Sequence, residues 1–143
     1  MLPFRGRDHL EVMIAHPGGP YWARKDAGHW GVIKGEVGPG EDPLTAARRE
    51  FIEETGWTPP DAGWIDLGSV NLRSGKLVRA YAVEADFDLA SFVPGTFSML
   101  WRGRRQDFPE IDRVIWSGID EAHRLLNPAQ VPLLHRLVAA LGS

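Results

Sequence analysis

The sequence predicts an α/β protein, in which strands and helices alternate along a chain of 143 residues. Three observations favour this class. Apolar, β-forming runs recur between turn signals, two segments begin with a helix-capping residue followed by proline, and hydrophobic residues make up 43% of the chain, enough for one sizeable core. The sequence shows neither an internal repeat nor a low-complexity block, so we expect a single domain over residues 1–143.

The first half of the chain contains a predicted strand, a short apolar run and a helix. Leu10 to His16 favours a strand, and a Pro-Gly-Gly-Pro turn follows it. Trp30 to Ile33 is apolar and leads into a glycine-rich turn. Asp42 is a typical N-cap and Pro43 a typical first helical residue, so a helix is expected to start there. It is expected to end near Gly56.

The second half contains three further predicted strands. Trp64 to Val70 and Leu77 to Val83 flank a turn, and Arg113 to Ser117 precedes a helical pattern. Between Ala85 and Glu110 the pattern is weak, and we interpret this segment as a long loop around one edge strand. Because long loops often carry substrate contacts, this segment is a candidate part of a functional site.

Two helical patterns follow the last predicted strand. Ile119 to Leu125 is short. Asn127 and Pro128 repeat the capping pattern, and the apolar residues after them follow a period of 3.6 residues up to Gly142. These apolar residues are Val131, Leu134, Val138 and Leu141. The spacing indicates a helix that packs against the core.

The composition excludes several classes of function. The chain has no cysteine, which rules out disulfides, zinc sites with thiolate ligands and a cysteine nucleophile. Its formal net charge is −3, so we expect neither nucleic acid nor an anionic membrane as a partner. No apolar run reaches the ~18 residues that span a bilayer, and charged residues interrupt the N-terminal segment where a signal peptide is apolar. We therefore expect a cytoplasmic protein.

Three glutamates share one face of the predicted helix. Glu50, Glu53 and Glu54 are three or four residues apart, and like charges at this spacing repel by roughly a few tenths of a kcal/mol each. The negative end of the helix dipole adds to this repulsion. A hard divalent cation such as Mg²⁺ or Mn²⁺ removes both penalties, since carboxylates and substrate phosphates are its usual ligands. The alternative is an ordinary solvated acidic face.

Other features of this helix bear on the glutamates. At about 100° per residue, Leu44, Ala47 and Phe51 form one apolar stripe that is expected to face the core. Arg49 lies four residues before Glu53 and can pair with it. The glycine-rich turn before the helix can bring backbone groups close to an ion or a phosphate.

The segment from Gly35 to Trp57 resembles the Nudix box, a pattern of 23 residues. The box reads Gly, five residues, Glu, seven residues, Arg-Glu, a bulky apolar residue, one residue, Glu-Glu, one residue, Gly and an apolar residue. Its fixed positions are Gly35, Glu41, Arg49, Glu50, Phe51, Glu53, Glu54, Gly56 and Trp57. All of them are filled, with aromatic residues at 51 and 57 where aliphatic ones are commoner. So many constrained positions make the match highly specific.

The resemblance implies a fold, an activity and a metal site. Nudix proteins are α/β/α sandwiches with a central mixed sheet, and most hydrolyse a nucleoside diphosphate linked to another moiety, using Mg²⁺ or Mn²⁺. Carried over by position, Glu50, Glu53 and Glu54 would be metal ligands, together with the carbonyl of Gly35. Arg49 would orient Glu53 by a salt bridge.

The resemblance leaves the catalytic base open, because some members use a box glutamate and others a carboxylate from a later loop. Within the box we expect Glu53 in this role. Of the later candidates, Glu84 and Glu110, we prefer Glu110, which follows Phe108 in the loop-rich segment. The alternative for Glu110 is a plain surface carboxylate. Glu41 would support the structure of the loop and helix.

Substrate contacts are expected from basic residues outside the glutamate cluster. Trp30 to Gly35 resembles the W-x-x-P-K-G pattern of dinucleoside polyphosphate and diphosphoinositol polyphosphate members, with Ile33 in place of proline. Lys34 in this segment, and Arg73 and Lys76 around a turn, are candidate phosphate ligands. The alternative is that they are solvated surface cations.

We therefore expect a hydrolase that cleaves a phosphoanhydride bond in a small-molecule nucleotide. Dinucleoside polyphosphates are the first candidate substrates and nucleoside triphosphates the second. The competing hypothesis is a Nudix module that binds a nucleotide without turnover, but such proteins usually lose box glutamates, and the box here is complete. The oligomeric state stays open, with a homodimer as one alternative because many relatives dimerise.

Overall fold

The computed structural model describes residues 1–6, 8–34 and 40–142. The strands are β1 (Leu2–Arg5), β2 (Glu11–Pro17), β3 (Ile65–Asn71), β4 (Leu77–Glu84), β5 (Thr96–Trp101), β6 (Arg104–Pro109) and β7 (Ile111–Gly118). The central feature is a five-stranded sheet with the order β3-β4-β1-β2-β7. β1 runs parallel to β4, and the other neighbouring pairs of this sheet are antiparallel. β5 and β6 pair with each other in a separate two-stranded sheet.

The helices begin and end close to where the capping residues predict. They are α1 (Pro43–Thr55), α2 (Ile119–Leu125) and α3 (Val131–Gly142), with short 3₁₀ turns at Leu89–Ser91 and Pro128–Gln130. The Asp42 side chain accepts a bond from the Thr45 amide at the start of α1, and Gly56 ends this helix with a φ of 77°. Asn127 caps the second 3₁₀ turn, and α3 follows that turn directly.

Helices on both faces of the sheet enclose two apolar cores. α2 and α3 cover one face, where buried leucines of α3 share a core with Phe4 and Ile14. α1 covers the other face, where Phe51 shares a core with Met13 and Val83. The predicted α/β/α sandwich with a central mixed sheet is therefore confirmed. Within the described residues, no helix is long and apolar enough to cross a membrane.

The strand predictions are confirmed for β2, β3, β4 and β7, each to within one or two residues at its ends. β1 was not predicted, because the four residues Leu2–Arg5 are too short to show a periodic signal. It is nevertheless a central strand, since it pairs with β2 on one side and with β4 on the other.

The predicted apolar stripe of α1 is buried only in part. The buried residues are Ala46, Phe51 and Thr55, whereas Leu44 and Ala47 are only half-buried. Thr55 lies one turn beyond Phe51 and extends the buried stripe to the end of the helix. The Thr55 hydroxyl donates to the Phe51 carbonyl at 2.6 Å and accepts from the Trp57 amide at 3.1 Å. Both hydrogen bonds satisfy this polar side chain inside the core.

The segment between Ala85 and Glu110 differs from the predicted loop around one edge strand. It contains both strands of a hairpin, β5 and β6, joined by Arg102 and Gly103 with φ angles of 52° and 78°. Two consecutive positive φ angles define the tight turn that matches the twist of paired strands. Asn-Gly is the usual signal for this turn, so an arginine in the left-handed region concealed the hairpin in the sequence.

Replacing Asp42 by alanine is expected to lower the free energy of unfolding by about 1 kcal/mol, because the first turn of α1 loses the acceptor for the Thr45 amide. Urea denaturation measures this change. Asp8→Ala is the matched control, since Asp8 is exposed and outside the described helices and strands. Equal effects of the two substitutions would show that the cap does not stabilise the helix.

Candidate active site

The C-terminal half of α1 presents the three clustered glutamates. At 100° per residue, Glu50 and Glu54 lie beside the buried face that contains Phe51, and Glu53 lies on the opposite side. The exposures of the side chains agree with this rotation, because Glu50 is 17% exposed and Glu53 is 55% exposed. The burial of Phe51 therefore decides where each carboxylate lies.

Arg49 pairs with three glutamates. Its Nε and Nη2 donate to the two oxygens of Glu41 at 2.9 and 3.0 Å, which is a bidentate arrangement. Its Nη1 lies 2.9 Å from Glu50 Oε1 and 3.4 Å from Glu53 Oε2. The bonds to Glu41 and then to Glu50 raise the pKa of the guanidinium above its already high value. The expected pair with Glu53 is present, but Glu41 and Glu50 are the closer partners.

The Glu54 carboxyl group has a pKa raised from its ordinary value of 4.5 to about 7. Partial burial is the largest cause, followed by the negative charges of Glu110, Glu50 and Glu53. Four carboxyl groups therefore interact at the end of α1. We call these four residues the carboxylate cluster. A group of this kind is stabilised by a positive ion, and its oxygen atoms suit a hard divalent one.

Glu110 belongs to the cluster because the base of the β5–β6 hairpin is attached to α1. The Glu110 amide donates to the Gly95 carbonyl at 2.8 Å, and the Glu110 carbonyl accepts from the Gly18 amide at 2.9 Å. Gly95 packs against the helix end, since a β-carbon there would lie 3.0 Å from the Glu53 carbonyl oxygen. Glu84, the other later candidate, is the last residue of β4. The structure thus brings Glu110 to the box glutamates.

The attachment of the hairpin to α1 was not predicted from the sequence. The Val93 amide donates to the Thr55 carbonyl at 2.9 Å, and a β-carbon at Gly56 would lie 3.2 Å from the Val93 side chain. Trp57 adds a bond from its indole nitrogen to the Ser91 hydroxyl at 2.7 Å. The one available signal was Gly95, which marks a close approach of two backbones but in sequence looks like any turn glycine.

Two of the three candidate phosphate ligands interact with each other. Lys34 reaches solvent, yet the protein around it desolvates its ammonium group and, together with the charge of Lys76, lowers its pKa. Lys76 closes the turn between β3 and β4, where its carbonyl accepts from the Leu72 amide at 2.8 Å. Arg73 is an exposed residue of the same turn. Two ammonium groups that repel each other favour a bound anion.

The metal ligands expected from the box are described only in part. Gly35, whose carbonyl was expected to be a ligand, lies outside the described residues. Within the described ranges, no group of three or more Asp, Glu or His side chains has the arrangement of a formed metal site. The donor set nevertheless fits a hard cation, because Glu50, Glu53 and Glu54 supply carboxylate oxygens. The pKa of Glu54 is raised by burial first and then by the nearby negative charges.

The fold and the site together define a class of protein, an α/β/α sandwich with four carboxyl groups clustered at the end of one helix. Comparison with known proteins gives the family. The family profile of the NUDIX domain matches residues 4–137. The chain therefore belongs to the Nudix family, which confirms the resemblance carried by Gly35 to Trp57.

Individual relatives share sequence or fold with this chain. RNA pyrophosphohydrolase from two strains of Caulobacter vibrioides is 28% identical over 146 residues, covering 94% of this chain and 84% of the relative. The structure of a C. elegans Ap4A hydrolase binary complex has a TM-score of 0.67 at 20% identity, covering 99% of this chain and 95% of that one. The MutT protein from Methanosarcina mazei Go1 has a TM-score of 0.62 at 20% identity, covering 99% and 93%. The two solved structures share the fold.

Replacing Glu54 by glutamine is expected to stabilise the protein in EDTA at about pH 8. Its folded pKa of about 7 exceeds its ordinary value of 4.5, so folding opposes its ionisation. Below pH 4.5 both states are protonated, between 4.5 and 7 the penalty grows, and above 7 it is complete. Because Glu54 is only half-buried, we expect a gain on the order of 1 kcal/mol in urea denaturation.

A matched control for this substitution is Glu121→Gln on α2. Glu121 is exposed and pairs with Arg124 at 2.7 Å, so its replacement gives no such gain. If Glu54→Gln and the parent protein were equally stable at about pH 8, the repulsion in the carboxylate cluster would be refuted. A gain that persisted undiminished at about pH 4 would refute the assigned cause.

Proposed function

We propose that this chain uses Mg²⁺ or Mn²⁺ to hydrolyse a phosphoanhydride bond in a nucleoside diphosphate derivative, and that dinucleoside polyphosphates are its substrates. The observation that carries the proposal is the convergence of four carboxyl groups at the end of α1, where partial burial and then the neighbouring negative charges raise the Glu54 pKa to about 7. Perturbed carboxyl groups gathered in this way are typical of functional sites. The membership of the Nudix family supports the same chemistry.

The three glutamates of α1 would hold the cation. When bound, a divalent cation offsets the negative charge of the phosphates and makes the attacking water more acidic. The protein's own contribution is to hold the ligands. Arg49 orients Glu50 and Glu53 through contacts of 2.9 and 3.4 Å, and its two bonds to Glu41 keep the guanidinium in place.

Glu110 is our candidate for the group that takes the proton from the attacking water. A general base needs a fixed position within reach of that proton. Both backbone groups of Glu110 are bonded, to Gly95 and to Gly18, so its position is well supported. Glu53, the alternative base, is already engaged by Arg49. This favours Glu53 as a metal ligand and Glu110 as the base.

Substrate phosphates would be bound by Lys34 and Lys76, whose ammonium groups interact, with Arg73 on the same turn as Lys76. The resemblance of Trp30 to Gly35 to the pattern of dinucleoside polyphosphate members favours that substrate class. A second candidate substrate is an RNA with a terminal phosphoanhydride, because the Caulobacter vibrioides relatives are named RNA pyrophosphohydrolase.

The test is a hydrolysis assay with Mg²⁺ or Mn²⁺ on dinucleoside polyphosphates, nucleoside triphosphates and short 5′-triphosphorylated RNA. We expect turnover of a dinucleoside polyphosphate that EDTA abolishes. Glu53→Gln and Glu54→Gln should each lower kcat by at least about 100-fold, the scale observed when charge stabilisation at a reacting centre is removed. Glu121→Gln, on the opposite face of the sheet, should leave kcat unchanged.

Other outcomes would change the proposal in defined ways. Cleavage of only the RNA or only the nucleoside triphosphates would refute the substrate class and keep the chemistry. Tight binding of a nucleotide without hydrolysis under any condition would indicate a sensor module. Undiminished turnover by both glutamine variants would refute the assignment of the metal ligands.

A further inference from the structure

A β-bulge interrupts the pairing of β2 and β7 next to Glu110 of the carboxylate cluster. In the pairing of these strands, His16 lies opposite Arg113, and Pro17 lies opposite Ile111. Asp112 is therefore an extra residue on β7 without an opposite partner in the ladder. Bulges of this kind change the direction of a strand and re-aim the side chains beside them.

The bulge changes which side of the sheet the preceding residues face. Side chains alternate along a strand, so residues three apart normally point to opposite faces. Ile111 and Val114 are three residues apart, yet both are buried in the same core beneath α1. This requires the extra residue, Asp112, between them. The bulge thus sets the orientation of the chain from Ile111 back to Glu110.

The side chain of Asp112 is anchored by a buried histidine. His16 is completely buried, and its Nδ1 lies 2.8 Å from Asp112 Oδ1. The other ring nitrogen contacts the Lys25 carbonyl, and the ring packs edge-on against Trp30 at 5.2 Å between centroids. The imidazole is therefore held on several sides. Through this contact, the end of β2 fixes the position of Asp112, the extra residue of β7.

The same end of β2 also holds Glu110 directly. The Gly18 amide, two residues after His16, donates to the Glu110 carbonyl at 2.9 Å. This approach leaves no room for a side chain, because a β-carbon at Gly18 would collide with the Pro109 carbonyl oxygen. One short segment therefore holds Asp112 through a side chain and Glu110 through the backbone.

We propose that Asp112 and His16 are positioning residues: their contact stabilises the bulge and so holds the Glu110 carboxyl group beside Glu54. This inference rests on the proposed function, in which Glu110 takes a proton. Asp112 and His16 act through Glu110 rather than on the substrate, so their loss should impair the chemical step and leave the binding of cation and phosphates nearly unchanged.

The test is a double-mutant cycle with Asp112→Ala and Glu110→Gln. Asp112→Ala should lower kcat by about 10- to 100-fold, as expected when a reacting group is displaced by about 1 Å, with KM and Mn²⁺ affinity within about 3-fold of the parent. In the Glu110→Gln background, the same substitution should change kcat by less than about 3-fold, because the group that it positions is already lost. Independent losses that multiply would overturn the proposal.

Further variants separate positioning from general damage. Asp112→Asn keeps an oxygen facing His16 and should retain kcat within about 3-fold of the parent. Asp86→Ala, which removes an exposed aspartate paired with Arg5, is the control and should not change kcat. If Asp112→Ala does not fold, Asp112→Ser replaces it, since its hydroxyl is too short to reach the imidazole. Losses in KM and metal affinity that match the loss in kcat would also overturn the proposal.

A readout without turnover distinguishes failure of this inference from failure of the proposed function. In Asp112→Ala the Gly18 and Glu110 amides should exchange with solvent at least about 10-fold faster than in the parent, because both bonds depend on the bulge. This result is expected whichever substrate is cleaved. Unchanged exchange of both amides would overturn the positioning role, even in a protein with full hydrolytic activity.

Discussion

The rotation of α1 about its own axis is the constraint on which the rest of the site depends. Phe51 and Thr55 are fully buried, and the Thr55 hydroxyl is bonded within the helix end. A rotation by one residue would carry Glu50 or Glu54 toward the apolar core, where an unpaired carboxylate costs several kcal/mol. The apolar core and the carboxylate cluster therefore specify the same rotation, and neither can change without the other.

The negative charge of the site is only partly neutralised, because one guanidinium faces more carboxylates than it can neutralise. Arg49 is bonded to Glu41, Glu50 and Glu53, while Glu54 keeps a pKa that is raised by burial and then by repulsion. A more stable protein would have fewer negative charges here. The sequence retains them, as expected where stability and activity make opposite demands on the same residues.

The sequence predicted the features of this site that depend on neighbouring residues, but not those that depend on contacts between distant segments. The helix, its caps at Asp42 and Gly56 and the glutamate spacing follow from short-range rules, and the structure agrees with them. The burial along the helix was predicted only in part, because Thr55 has a polar side chain that a hydrophobic pattern counts as exposed. Its internal hydrogen bond, which reverses that expectation, is visible only in three dimensions.

The approach of Glu110 to α1 could not be derived from the sequence, although its position in a loop-rich segment made it a candidate. The approach depends on a hairpin with an arginine at its turn, on a glycine contact with the helix end, and on a bulge that adds one residue to β7. The hairpin lacks its usual turn signal, and the other two features depend on segments that are far apart in the chain. A single residue of register would reverse the orientation of a strand, and short sequence patterns do not fix register at bulges.

The charges around the site also constrain how the proposed polyphosphate substrate would bind. The ammonium groups of Lys34 and Lys76 would attract phosphate groups, whereas the carboxylate cluster would repel them. In a chain with a net charge of −3, long-range attraction does not compensate for this repulsion. If the proposed function holds, the nucleotide should bind more tightly when a cation is present. Because coupling between two binding events is reciprocal, the nucleotide should raise the affinity for the cation by the same factor. The residues that bind phosphate and the residues that bind metal then act as one site, although they lie on different elements of the fold.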